Sequence, residues 1–565
     1  MTRSVIDPIT RIEGHMRVEM EVQGGKVVDA WASGGSFRGM ETVVEHRKPE
    51  DAAQIVQRIC GVCPVSHSHS STIAAEKAYG ITIPNGARIV RNLIEGAQFM
   101  HSHILWFYQL SALDYVNPLH ALEADIDKTY ELCDTLGLAQ TDFGALAERL
   151  TKFAENGQYS WLSGGWFLDG QAPDAYKLPA EVDLIATAHY IEAIDMQATA
   201  DEISSIMGGK MPHIMTSIPG GTAFVPSVEK IDDILFRSQR LHDWVTNVMI
   251  PDAIAIAGVY LKDLTTVLPN GKLLGDNKHG NFLAYGVFDR EDRKLSNRYL
   301  PAGVLLNGLS GAVEDVDESK IYEYVGTSWY KGEETYQSPY FVTDPEFTEY
   351  DVEKRYSWCK APSYDGLALE TGPLSRVLVA YVRGVPFITE TVDGFLKSLG
   401  KGLGLSGAAP ATAAISMLGR VALRQVESLY VAQLMKDWTL ELIEAVKGGE
   451  ASYFDAPLRD SGSGTGFWEA PRGALYHSEK VTGGKIDGYQ IIIPTTWNMA
   501  PINQNGEHGP IEQALIGCPV EDIEKPINAL RLVHSYDPCV SCAVHVSEPA
   551  SGKHFETVTN PWGVK

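Results

Sequence analysis

Two short stretches of this chain carry side chains that can bind a metal or exchange electrons: "RICGVCPVSH" at 58–67 and "DPCVSCAVH" at 537–545. Each holds a C-x-x-C pair, Cys60 with Cys63 and Cys539 with Cys542. Each also has a histidine just downstream, His67 and His545. A C-x-x-C turn lets two sulfurs converge on one centre, and Gly61 permits the tight turn in the first pair. Pro64 opens a predicted helix. That sets Cys63 near the positive N-terminal end, which favours its thiolate. His67 then falls on the same helical face, able to ligate a metal or to donate a hydrogen bond to a sulfur.

Three chemistries compete for these four thiols. A structural zinc site built from four cysteines usually joins pairs separated by short loops, whereas these pairs sit near opposite ends of the chain. Two separate redox dithiols would call for a thioredoxin-like βαβ context, which neither pair has. A buried four-sulfur site for a redox-active transition metal suits the soft ligand set best. The other three cysteines, Cys133, Cys359 and Cys518, are isolated and read as ordinary buried thiols.

The elements that must position these groups are legible in outline. "MRVEMEV" and "KVVDAWA" flank Gly24-Gly25 and predict a β-hairpin. A helix follows Pro49 and breaks at Cys60-Gly61; another runs from Pro64 to a stop at Gly80. Helical periodicity dominates 84–150 and 180–262, and returns at 373–398 and 410–447. The stretch 263–365 reads as loops with short strands, and 465–545 as strands ("GYQIIIPTTW") and turns. The expected fold is a helix-rich α+β protein. A long central helical bundle lies between β-containing N- and C-terminal regions, which together hold the metal site.

The chain has 565 residues, 44% of them hydrophobic and 21% charged, within the ordinary range for globular proteins. Its net charge of −25 argues against nucleic acid and against an anionic membrane surface as direct partners. The N-terminus "MTRSVIDPIT" has no apolar core of a signal peptide. The most apolar stretch, 248–261, contains Pro251 and Asp252 and is too short to span a bilayer. Any membrane contact or export would therefore come through a partner.

Six motifs occur in order: "DPITRIEGHMRVE" (7–19), "FRGME" (37–41), "RICGVCPVSH" (58–67), "EAPRGALYH" (469–477), "PTTWN" (494–498) and "DPCVSCAVH" (537–545). Together they resemble the large subunit of NiFe hydrogenases, in particular the respiratory uptake enzymes. The resemblance runs along essentially the whole chain. It implies reversible heterolytic cleavage of H2 at a nickel–iron centre. Cys60 and Cys539 would be terminal nickel thiolates, and Cys63 and Cys542 would bridge nickel to iron. The iron would carry one CO and two cyanide ligands.

The same resemblance assigns roles to the neighbours. Cys539 would accept the proton released from H2, and Glu13 would carry it outward. Arg472 would hang over the open metal position, oriented by Asp114 and Asp537, with Pro471 beside it. Guanidinium is a poor base, so Arg472 ranks behind the cysteine–glutamate route. Pro494 and Thr495 would surround a cyanide, the Thr495 hydroxyl donating to it. His67 would donate to a bridging sulfur. Glu41, His545 and the main-chain carbonyl of Ile491 would hold Mg2+.

No cysteine set is left for an iron–sulfur cluster, so electrons would leave through an iron–sulfur small subunit in an obligate heterodimer. That subunit would carry the export signal to the periplasm or the outer face of the cytoplasmic membrane; a cytoplasmic location is the alternative. By the same resemblance, the mature family protein ends at the histidine of the second motif. Here residues 1–545 would form the hydrogenase domain. Residues 546–565 would be an extension that a maturation endopeptidase removes after metal-insertion factors have loaded nickel. Two rival readings remain. One is a metal-free scaffold subunit of the quinone-reductase type, which would be expected to lack the four cysteines. The other is a structural zinc protein with four cysteine ligands.

Overall fold

The computed structural model of the chain describes residues 2–158, 175–268, 271–342 and 344–540. Cys542, His545 and the extension 546–565 lie outside the described residues.

The predicted hairpin forms. Met16–Gln23 and Lys26–Gly34 pair antiparallel, and Thr2–Ile6 adds to the outer side of the first strand. The turn needs positive φ at both central positions, which Gly24 (60°) and Gly25 (72°) supply without a Cβ clash. Between the first two strands the chain makes an irregular excursion that carries Arg11 and Glu13.

The bundle is built on four long helices: Asn85–Leu105, Ala180–Gly208, Val228–Trp244 and Met417–Lys447. Asn85–Leu105 packs between Ala180–Gly208 and Met417–Lys447. Its run continues as a π-helical turn at Trp106–Ser111 and a 3-10 turn at Ala112–Asp114, so the predicted single helix changes pitch before Asp114. π-turns of this kind are frequent at functional sites. One large hydrophobic core, from Ile6 to Val540, joins the bundle to both chain ends.

Near the C-terminus, Ser461–Ala470, Gly473–Thr482 and Lys485–Ile492 form an antiparallel sheet. It lies directly on the helix Pro64–Tyr79. The contact is backbone on backbone: a Cβ on Gly462, Gly464 or Gly466 would come 2.2, 2.2 and 1.9 Å from the carbonyl oxygens of Ala78, Ala74 and Ser70. Alternate strand positions face one side, and residues four apart line one helix face. Three glycines spaced by two thus dock on three carbonyls spaced by four. Beyond the sheet, a helix at Ile527–Ser535, not expected from the sequence, leads into the second cysteine motif.

Candidate metal centre

Cys60 ends the helical stretch Pro49–Ile59 in extended backbone, and Cys63 is the N-cap residue of Pro64–Tyr79, with Pro64 in its first turn. The Val62 and Cys63 amides both donate to Cys60 Sγ at 3.2 Å. Two N–H dipoles aimed at one sulfur favour its thiolate. Both cysteines are buried.

From the other end of the chain, Cys539 Sγ reaches within 3.3 Å of Cys60 Sγ. The sulfurs of Cys60, Cys63 and Cys539 all lie within 4.8 Å of one another. Three soft donors this close, from two distant segments, fit a thiolate-bound metal centre. Cys542 would complete the set from outside the described residues.

The arm bearing Cys539 is held by side chains and by single backbone contacts. The Val540 amide donates to the Glu13 carbonyl oxygen at 2.6 Å, and Glu13 Oε2 lies 3.4 Å from Cys539 Sγ. The predicted relay carboxylate is therefore in contact with the sulfur it would serve. The Cys539 amide donates to Thr495 Oγ1 at 2.9 Å. That bond uses the oxygen as acceptor and leaves the hydroxyl proton for a further partner. Pro494 opens the short helix Pro494–Asn498 that carries Thr495.

Arg472 sits with Pro471 at the tip of the hairpin between Ser461–Ala470 and Gly473–Thr482. Gly473 has φ 140°, and a Cβ there would come 2.3 Å from Thr371 Oγ1. The tip is thus locked inward, and Arg472 is 1% exposed. Its Nη2 lies 3.0 Å from Asp537 Oδ1, an ion contact whose angle is not that of a hydrogen bond. Nη1 donates to Ser102 Oγ at 3.3 Å. Burial alone would lower the guanidinium pKa. Asp537, and then the sulfurs of Cys539, Cys63 and Cys60, outweigh it and raise it well above the ordinary value. Arg472 is thus a buried cation held beside the cysteines by Asp537.

One expectation needs correction. Asp114 does not orient Arg472. It is paired with Arg11 and accepts from His534 Nδ1 at 2.6 Å. Burial would raise its pKa, but Arg11 and His534 hold it well below the usual carboxylate range. The change of helix pitch before Asp114 turns its carboxylate toward the Arg11 excursion, so it braces the segment that bears Glu13. Glu41 Oε1 accepts from the Ile491 amide at 2.9 Å. Lys360 Nζ lies 4.0 Å from Glu41 and 3.6 Å from Glu323. Glu41 and the Ile491 backbone thus lie together, beside a lysine that no motif singles out. His67 Nδ1 bonds His477 Nε2 at 3.0 Å, while its Nε2 is buried without a protein partner. Burial lowers its pKa to about 4, so the ring is neutral and can donate from one nitrogen.

The sequence also hid the support behind Asp537. Arg424 Nη1 donates to Asp537 Oδ2 at 3.1 Å and meets His103 Nδ1 at 3.0 Å. His103 Nε2 meets Glu427 at 2.9 Å, and Glu427 takes Arg376 at 2.8 and 2.6 Å. Burial pulls Arg424 down to about 10 against the pull of Asp537. A signal existed: Arg420, Arg424 and Glu427 recur at i, i+4 and i+7 of one helix, which puts charge on one stripe, and all three are buried.

The sequence profile of nickel-dependent hydrogenases matches residues 38–545, and a HoxL-like profile matches residues 3–31. The uptake hydrogenase large subunit of Bradyrhizobium diazoefficiens is 36% identical, over 97% of this chain and 96% of its own length. The hydrogenase-2 large chain of Escherichia coli K12 is also 36% identical, over 98% and 99%. Among solved structures, the Ni-Fe-Se hydrogenase of D. vulgaris Hildenborough in its as-isolated oxidized state superposes with a TM-score of 0.78. It is 34% identical, over 96% of this chain and all of that one. With its sulfurs gathered under a buried arginine and a profile match along nearly its whole length, this chain belongs to the nickel-dependent hydrogenase large-subunit family.

Proposed function

We propose that Cys60, Cys63, Cys539 and Cys542 would hold the nickel–iron centre of this hydrogenase, with Cys60 and Cys539 serving nickel alone and Cys63 and Cys542 shared with iron, as the family resemblance implies. The observation that carries this is the convergence of three sulfurs from the two ends of the chain. The reaction is H2 ⇌ 2H+ + 2e−. When bound, the centre supplies the place where H2 is polarised and split, with one CO and two cyanides on the iron.

The protein's part is to position groups and to move protons. Cys539 Sγ takes up a proton and passes it to Glu13 Oε2, which is already in contact with it. Arg472, kept cationic by Asp537, faces the sulfurs and strengthens the field on incoming H2 in a site closed to water. Thr495 offers its hydroxyl proton to a cyanide, with Pro494 beside it. His67 Nε2, buried and without a protein partner, is the atom that would meet a bridging sulfur. Mg2+ is held by Glu41, the Ile491 carbonyl and His545.

Electrons pass to an iron–sulfur small subunit, the partner that a hydrogenase large subunit implies. Among the described residues no helix is long and apolar enough to cross a membrane. Export with the small subunit to the periplasmic side fits the resemblance to uptake enzymes. The family match stops at His545, which supports reading 546–565 as an extension removed by an endopeptidase once nickel is in place.

Metal analysis of the purified heterodimer tests the reading. Nickel and iron in equal amounts, with infrared bands of CO and cyanide, are expected. Zinc without nickel or iron would sink it. Cys542→Ser should prevent assembly of the centre; a variant that keeps both metals and turns over H2 would remove Cys542 from the ligand set.

A further inference from the structure

The sheet that carries Arg472 and the helix that Cys63 caps enclose a row of polar side chains that reaches away from the cysteines. His67 Nδ1 meets His477 Nε2 at 3.0 Å; His477 Nδ1 meets the Tyr489 hydroxyl at 2.9 Å; Tyr489 donates to Ser71 Oγ at 2.8 Å. All four residues are buried. Glu479 stands directly opposite Tyr489 in the strand register, two residues from His477. Tyr489, His477 and Glu479 therefore share one face, with opposed Cβ atoms about 5 Å apart.

Glu479 is 0% exposed, and neither of its carboxyl oxygens has a hydrogen-bond partner among the described residues. A buried polar group left in this way is costly unless water or a proton completes it. On the far side, the helix Pro49–Val56 brings up Glu50, whose Oε2 is likewise buried and unpartnered. Glu479 and Glu50 are close enough to repel, and both raise the phenol of Tyr79 further after its own burial has raised it. Tyr79 lines a surface cavity of about 440 Å3 together with Gly80, Phe454 and Arg459. The bonded row runs from His67, four residues past Cys63, to Ser71, and Glu479, Glu50 and Tyr79 lead on from Tyr489 to the surface cavity.

We propose that this row is a second proton outlet, running from the cysteine centre through His67, His477 and Tyr489 to Glu479. It leaves by Glu50 and Tyr79 at the surface cavity, and ordered water fills the step between Tyr489 and Glu479. The proposal rests on the hydrogenase reading above. Each H2 oxidised yields two protons, and Glu13 serves only the Cys539 side. Along the row each group takes a proton on its inner side as it gives one up on its outer side. At the inner end a sulfur S–H bond breaks as His67 Nε2–H forms; beyond it only N–H and O–H bonds break and form, and no electron moves. Burial, reinforced by Glu50, pushes the Glu479 carboxyl up to about 8. A carboxyl so placed is protonated at neutral pH yet able to lose its proton, as a relay must.

The test uses the heterodimeric holoenzyme with Glu479→Gln, which has the shape of the protonated acid, and Tyr489→Phe, which removes one hydroxyl. Nickel and iron content, H2 oxidation and D2/H+ exchange are measured for each. Both variants should keep their metals and lose roughly 3- to 10-fold in exchange and turnover, a fraction of the effect of a sole relay. Glu479→Asp should restore most of the loss. Wild-type exchange in both variants overturns the proposal, and so does loss of metals in both, which would mark a structural role. A wild-type enzyme without nickel would overturn the hydrogenase reading itself, a separate and distinguishable failure.

Discussion

The two halves of the cysteine cradle are held in different ways. Cys60 and Cys63 are set by local backbone: a helix ends, a glycine turn follows, the next helix starts, and two amides close on Cys60 Sγ. Cys539 is set almost entirely by remote partners. Glu13, Thr495, Arg472 and Arg424 hold residues 537–540, and Arg420 holds Tyr536. Asp537 itself sits at φ 55°, a left-handed conformation that a non-glycine residue adopts only when its surroundings impose it. The first half can exist once one helix has packed. The second needs the bundle, the hairpin tip and the N-terminal excursion together, so it closes last. That order suits a site whose metals must enter before the arm shuts.

The largest effect should come from breaking the platform of the first half. Gly466→Val would place a Cβ 1.9 Å from the Ser70 carbonyl oxygen and 2.8 Å from its carbon, both backbone atoms with no room to yield. A destabilisation above about 4 kcal/mol is expected, read as loss of soluble large subunit and of its cooperative melt. A variant with wild-type Tm would show that the helix and sheet are not in fixed contact. Next comes Glu13→Gln, which separates holding the arm from serving it. The Val540–Glu13 backbone bond survives while the carboxylate is lost. H2 oxidation should fall by roughly 10²- to 10⁴-fold, with nickel and iron retained. Loss of nickel would instead make Glu13 part of the clamp.

The same contrast decides what the sequence could reveal. The elements around Cys60 and Cys63 are local, so Pro49, Gly61, Pro64 and Gly80 mark them to within a residue. The hairpin at Gly24-Gly25 and the long bundle helices are legible for the same reason. The side chains gathered at Cys539 follow from motif resemblance alone, because no periodicity links Glu13 to Arg472. At one contact the resemblance errs: Asp114 turns to Arg11 and His534, not to Arg472. Arg424, Ser102, Lys360 and Glu479 escape notice, since burial cannot be read from a charged residue type. The spacing of Gly462, Gly464 and Gly466 is visible, yet only the fold shows what lies against them.

Arg424→Met tests whether the arm depends on its remote support. The long apolar side chain fills similar space but leaves Asp537 Oδ2 without its donor and His103 without its neighbour. Breaking one side of a buried pair typically costs about 3–5 kcal/mol. Because Arg472 still faces Asp537 Oδ1, the lower end is expected. The signature should be local. Nickel content should drop in proportion to arm opening, while the Cys60–Cys63 half and overall helicity stay as in the wild type. Global unfolding at the same denaturant concentration as arm release would mean that the two halves are one cooperative unit.

Thr495→Val should have the smallest effect and give the sharpest comparison. The shape is nearly conserved, but the acceptor for the Cys539 amide is gone. A buried donor left unsatisfied costs about 1–3 kcal/mol. Exchange of the Cys539 amide with D2O should therefore accelerate roughly 5- to 150-fold, the ratio that such an energy sets. The Val62 and Cys63 amides, which donate to Cys60 Sγ, have no contact with Thr495 and should exchange at their former rates. Acceleration confined to Cys539 would establish that the arm opens by itself over a standing first half. Equal acceleration at all three amides would mean that the cradle opens as a whole, and that the asymmetry seen in its contacts does not extend to its dynamics.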